Sequence, residues 1–132
     1  MKGIKARVHK GLETGSRLVC ADNSGAKILE IITVGGYKGK ARRRALCGVA
    51  NIVKVTVKQG DVKIRKHVVS AVIIRQRAEY RRMNGMRIKF EDNAAVIVNE
   101  NGDPTGTQVK GPVAREVVER FLSIGKICSL IV

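Results

Sequence analysis

Between Ser16 and Val98 the apolar residues fall in short runs, the clearest of which alternate at every second position, the repeat of a β-strand whose side chains point to two faces. Ser16–Ala21 predicts a short strand. Ile28–Val34, rich in β-branched residues, predicts a full one that Gly35-Gly36 ends. Between them Asp22-Asn23-Ser24-Gly25 has turn chemistry: short polar side chains that bond nearby backbone, then a glycine. Asn51–Lys58 alternates cleanly, with Val53, Val55 and Val57 on one face and Lys54, Thr56 and Lys58 on the other. After a Gln59-Gly60-Asp61 turn, Val62–Lys66 alternates again and sends Lys63, Arg65 and His67 outward. Val68–Ile74 is almost continuously apolar, as a strand buried on both faces is, and Ala94–Val98 adds one more.

Helical spacing begins only after Gly111-Pro112. Val113, Val117, Phe121 and Leu122 line one side, Glu116 and Glu119 lie to the other with Arg115 and Arg120, and Pro112 suits a first helical turn. Ile127–Val132 reads as a short final strand or tail. Asn99–Gly106, with an Asn-Gly pair and a proline, reads as loop, and residues 1–15 as a basic, weakly patterned arm. Six or more short strands before one helical segment (111–124) predict a mainly β, single-domain chain over 1–132, built as a small antiparallel barrel. Closure removes the open edges that invite aggregation. Val53, Val55, Val57, Val72, Ile74, Val96 and Val98 are the expected core.

One segment carries both core and ligand chemistry. Ala71–Ile97 reads AVIIRQRAEYRRMNGMRIKFEDNAAVI, two apolar strands around an arginine-studded hairpin. Asn84-Gly85 suits a two-residue turn, in which both central residues take positive φ. That register sets Met83 opposite Met86, Arg82 opposite Arg87 and Tyr80 opposite Lys89. Met83, Met86, Ile88 and Phe90 then share a face that packs on protein, while Tyr80, Arg82, Arg87 and Lys89 share a cationic one. Opposed arginines repel, so an anion is expected between them.

Charge extends this picture to the whole chain. Lysine and arginine number 26 against 11 acidic residues, a formal charge of +15, and 44% of the residues are apolar. The 132-residue length fits one domain with a proper core. A folded core with so much positive charge calls for a polyanion, either nucleic acid or an anionic membrane surface. No apolar run approaches the roughly 20 residues of a membrane span, no basic amphipathic helix stands out, and the N-terminus lacks a signal-peptide core. The expectation is a cytoplasmic protein with no membrane partner.

The charge is also unevenly placed. Residues 63–89 hold nine basic residues against Glu79 alone, residues 37–44 hold five and no acid, and Glu91–Asp103 holds four acids and no base. Helix-turn-helix, zinc-finger and basic-zipper patterns are absent, and Tyr37, Tyr80, Phe90 and Phe121 are too few for a base-stacking platform. Folded RNA, bound through phosphates, riboses and shape, remains. Such binding falls steeply with salt.

Catalytic chemistry has little to build on. Two histidines lie far from any cysteine in sequence, and Cys20, Cys47 and Cys128 have no metal-ligand spacing and read as buried, reduced structural thiols. Asp22 beside Ser24 is explained by the turn, and Glu91-Asp92 by capping or pairing with an arginine rather than by a metal. Gly35-Gly36 and Gly39 are not followed by the Gly-Lys-Ser/Thr of a phosphate loop. No enzyme activity, catalytic residue, metal site or cofactor is expected.

The ribbon segment also carries a resemblance. Ala71, three aliphatics, Asn84-Gly85, Phe90, Asn93 and Val96-Ile97 are spaced as in the signature of the universal large-subunit ribosomal protein family number fourteen. ADNSGAK at 21–27, Gly35-Gly36 before the basic loop, and GPVARE at 111–116 agree in order, so the resemblance spans about 16–132. The basic arm and the YRRMNG…FEDNAAVIVN wording are similar to the archaeal branch. The longer 37–48 loop and shorter apolar C-terminus differ from the bacterial pattern. The resemblance implies a five-stranded β-barrel of the OB/SH3-like kind with a projecting β-ribbon and short C-terminal helices. It implies binding to 23S-type rRNA, contact with the large-subunit ribosomal protein family number three, inter-subunit bridges to small-subunit rRNA, and docking of the anti-association initiation factor six. The expected rRNA contacts are Lys38, Lys40, Arg42, Arg43, Arg44, Lys54, Arg65, Lys66, Arg75, Arg77, Arg81, Arg82 and Arg87. The bridge and factor surface maps to the 105–113 loop and the helix through Leu122, with Thr105, Gly106, Thr107, Gln108, Arg115 and Glu116.

Overall fold

Turn residues cut the alternating runs into short strands that pair side by side until they meet. The structure, a computed structural model, describes residues 2–132. In chain order its elements are β1 (Leu12–Glu13), β2 (Arg17–Cys20), β3 (Ala26–Val34), β4 (Leu46–Cys47), β5 (Ile52–Gly60), β6 (Val68–Arg75), β7 (Tyr80–Arg81), β8 (Arg87–Ile88), β9 (Ala94–Val98), β10 (Val109–Val113), α1 (Arg115–Arg120), α2 (Leu122–Ile127) and β11 (Cys128–Ile131). Strands β2-β3-β5-β6-β9 form a closed five-stranded barrel. Its closing seam, β2 on β9, is parallel rather than antiparallel, pairing Val19 with Ala94 and Cys20 with Ala95. Asp22 reinforces that seam from inside: one carboxylate oxygen accepts the Ile97 amide at 2.8 Å, the other the Ser24 amide at 3.0 Å and the Ser24 hydroxyl.

The expected core residues are all buried, but in two separate places. Val53, Val55 and Val57 fill the barrel with Leu18, Leu29, Ile31, Ile73 and Ile97. Val72, Ile74, Val96 and Val98 point out of it, against Val109, Val113, Val117, Phe121 and Ile124 of the C-terminal segment. Strands β6 and β9 are therefore covered on both faces, which is why their sequences lose the alternation.

Three local expectations are corrected. Val62–Lys66 is not a strand: β5 runs to Gly60, and residues 61–67 connect it to β6, with the Ile64 and Arg65 amides both donating to Asp61 O at 3.1 and 3.0 Å. Val62, 86% exposed, has no partner to bury it. The helix does not start at Pro112, which lies in β10 paired parallel to β11. Helical residues begin at Arg115 and run to Ile127, broken at Phe121, so Leu122 turns outward and Ile124 takes the buried place. Finally, the ribbon pairs Tyr80 with Ile88 and Arg81 with Arg87.

Candidate nucleic-acid interface

The ribbon's register decides which of its cations face outward. Arg82 N donates to Met86 O at 2.8 Å and Gly85 N to Arg82 O at 3.0 Å, so the loop is Met83-Asn84-Gly85, three residues long. Only Gly85 takes a positive φ, of 87°, and Asn84 instead accepts the Met86 amide on its side chain at 3.0 Å. A one-residue slip exchanges the faces of a strand. Tyr80 therefore points inward and is 2% exposed, while Met83 and Met86 stand exposed at the tip instead of packing on protein. Ile88 and Phe90 do pack inward.

Arg82 goes inward too. Its Nε donates to Glu116 Oε1 at 2.7 Å and its Nη2 to Glu116 Oε2 at 3.2 Å and Val132 O at 2.6 Å. The Tyr80 hydroxyl donates to Glu116 Oε2 at 3.0 Å, and the guanidinium carbon lies 5.9 Å from the Tyr80 ring. Burial alone would raise the Glu116 carboxyl, but hydrogen bonds from Arg82, its own amide and Tyr80, with the Arg82 charge, hold it below the usual carboxylate range. Burial, then the Glu116 charge, pushes the Tyr80 phenol up to about 12. This cluster ties the ribbon to α1 and to Val132, the residue after β11.

Arg75 is the second inward arginine. It is 7% exposed and forms a two-pronged pair with Asp92, Nε to Oδ1 at 2.8 Å and Nη2 to Oδ2 at 3.1 Å. Its Nη1 donates to the Lys110 and Pro112 carbonyls at 3.0 and 2.8 Å. Gly111 between them has φ 79°, and a side chain there would meet the guanidinium 2.9 Å away. Arg75 thus has every guanidinium nitrogen bonded to protein and Arg82 its Nε and Nη2, so that a phosphate at either would have to displace a carboxylate.

The remaining expected RNA residues lie at the surface. Lys38, Lys40, Arg42, Arg43, Lys54, Arg65, Lys66, Arg77 and Arg81 are exposed and have no ion-pair partner among the described residues. Arg44 pairs with Glu13 at 3.2 Å and Arg87 with Glu79 at 2.7 Å, but these side chains are 77% and 70% exposed. Pairs in that much water exchange readily for phosphate. The 37–44 loop is shaped by the Tyr37 hydroxyl donating to Arg43 O at 3.1 Å and by Arg42 at φ 60°.

The expected bridge residues gather less completely. Thr105, Thr107, Gln108 and Arg115 are exposed, Gly106 is half-buried, and Glu116 lies inside with Arg82. The Thr107 amide donates to the Asn23 side chain at 2.9 Å, which donates back to the Thr107 hydroxyl at 2.8 Å. Ser123 donates to Asp103 at 2.8 Å, joining the loop to α2. Exposed Leu122 completes that face.

Sequence reasoning missed the buried Gln76, which accepts the Val49 amide at 3.1 Å and donates to His9 O at 2.9 Å and Ala78 O at 3.0 Å. No local pattern marks it. All three cysteines are free; burial pushes the Cys20 and Cys47 thiols up to about 12 and 11. No described helix is long and apolar enough to cross a membrane.

Known proteins of the same kind are readily found. The profile of the family described as ribosomal protein L14p/L23e matches residues 11–132. Proteins named large ribosomal subunit protein uL14 are 47% identical in Methanocorpusculum labreanum, over 132 residues and all of both chains, and 50% identical in Methanococcus vannielii, over 131 residues and 99% of both. The Methanoregula boonei protein of the same name is 48% identical over the full length of both chains.

Proposed function

This chain belongs to the ribosomal protein L14p/L23e family, structural components of the large ribosomal subunit, in its archaeal form, and from that premise we propose that it holds large-subunit rRNA between its 37–44 loop and the outer face of its ribbon. The observation that carries the reading is the sorting of the basic residues. Arg75 and Arg82 are bound inside, whereas Lys38, Lys40, Arg42, Arg43, Arg77 and Arg81 are exposed without a carboxylate. Lys54, Arg65, Lys66, Arg44 and Arg87 add to the same reading, and Arg75 and Arg82 act as staples that orient the rest.

The face of Thr105, Thr107, Gln108, Arg115 and Leu122 is the proposed meeting surface with small-subunit rRNA and with the anti-association initiation factor six. The large-subunit ribosomal protein family number three is the proposed neighbour within the particle. Support comes from the resemblance together with the pinning of the loop to Asn23 and α2.

Sucrose-gradient sedimentation of cell extracts tests both parts. Arg42→Glu with Arg81→Glu should leave the large-subunit peak and appear in light fractions. Gln108→Glu with Arg115→Glu should stay on the large subunit but lower the share of joined ribosomes. Full incorporation of the first variant at low and high salt would overturn the rRNA reading.

A further inference from the structure

The two basic stretches are not separate in space, because the N-terminal arm runs between them. Its far end joins the basic loop: β1 pairs with β4, Leu12 beside Cys47 and Glu13 beside Leu46. Its middle lies at the base of the ribbon. His9 O accepts the Gln76 side chain at 2.9 Å, one residue from Arg77, and a Cβ on Gly11 would run into that of Ala78. Its beginning is held on α1, where Gly3 N donates to Arg120 O at 2.8 Å. Val8 packs against the core outside the barrel.

Along this path stand Lys5, Arg7 and Lys10, with no acid between Lys2 and Lys10, and Arg120. Arg120 Nη1 donates to Ala50 O at 2.6 Å, its guanidinium lies 5.2 Å from the Phe121 ring, and its Nε is buried without a partner. None of the four has a carboxylate partner among the described residues. Partial burial first, then the charges of Lys10 and Arg120, lower the pKa of the Lys5 ammonium, so Lys5, Lys10 and Arg120 crowd one another. Like charges gathered without a counter-charge oppose folding of the free protein. The arm is nevertheless held in place by main-chain bonds and close packing, so little ordering remains to be done on binding.

We propose that Lys5, Arg7, Lys10 and Arg120 form a phosphate track that joins the basic loop and the ribbon into one continuous contact for the RNA backbone. The track rests on the rRNA reading above, and one set of measurements separates the two. The full-length protein is titrated with in-vitro transcribed large-subunit rRNA across a salt series. Each phosphate contact contributes about 0.7–0.9 to the slope of log affinity against log salt. Lys5→Gln with Lys10→Gln should lower the slope by about 1.4–1.8 while the melting midpoint of the free protein stays or rises. Lys5→Arg with Lys10→Arg should restore the slope. An unchanged slope in the glutamine variant, or no restoration by arginine, overturns the track. Arg42→Gln with Arg81→Gln is run in parallel. If that pair lowers the slope and the arm variant does not, only the track fails; if neither does, the rRNA reading fails as well.

Discussion

Arg82 shows how far a single residue's chemistry can be read without its neighbours. Beside Arg81, and two residues before Asn84-Gly85, it has the sequence environment of an RNA contact. Only the fold brings Glu116 from 34 residues away, so that a planar fork meets a planar carboxylate with both side chains about 10% exposed. Removing one partner of such a pair strands the other and costs about 3 kcal/mol. Glu116→Gln should therefore lower the urea midpoint at neutral pH. The pH dependence follows from the depressed carboxyl: its stabilisation is complete above the ordinary glutamate range and is lost as pH falls through the folded-state value. Wild type should lose stability on acidification more steeply than Glu116→Gln. Parallel curves from pH 7 to 3 would show that the pair contributes no pH-linked stability.

Among elements, the strands were legible in proportion to how many of their faces are buried. Asn51–Lys58 alternates because β5 has one face in the barrel and one in water. Ala71–Ile74 is continuously apolar because this part of β6 is covered inside by the barrel and outside by the C-terminal segment. Val62–Lys66 alternates just as well, yet is a connection, since alternation states which side chains would share a face and not whether a partner strand exists. The ribbon failed through register: an Asn-Gly pair suits both a two-residue and a three-residue loop, and the choice between them flips Tyr80 and Arg82. The difference between inside and outside is measurable within the barrel. Val55→Asp puts an unpaired carboxylate at a site with no solvent exposure, at a cost of several kcal/mol against a total of roughly 5–15, and should abolish the cooperative thermal transition. Val19→Asp, on β2 but 48% exposed, should melt within a few degrees of wild type. Similar melting of the two variants would contradict the assignment of the barrel interior.

For the whole molecule, charge and stability oppose each other. A net charge of +15 repels itself in the free protein, and at physiological salt the repulsion is screened beyond about 8 Å. Raising salt from 50 to 300 mM should raise the melting midpoint of the free chain while weakening its hold on RNA, and a midpoint that falls would remove self-repulsion as a significant term. From its own order of residues the chain determined its mainly β character, the turns at Asp22–Gly25 and Asn99–Gly106, the buried faces of β5 and β6, its excess of positive charge and its family. Apart from the family, which rests on the resemblance of its spaced motifs, those are properties of composition and local period, which short stretches carry by themselves. Only the tertiary structure decided that the barrel closes through a parallel seam, that the apolar residues divide into two cores, and that Arg75 and Arg82 are internal staples while the arm's cations lie between the two basic stretches. Each of these depends on which distant residue arrives opposite, and that is set by closure of the whole barrel and the register of each pairing, quantities no local window contains.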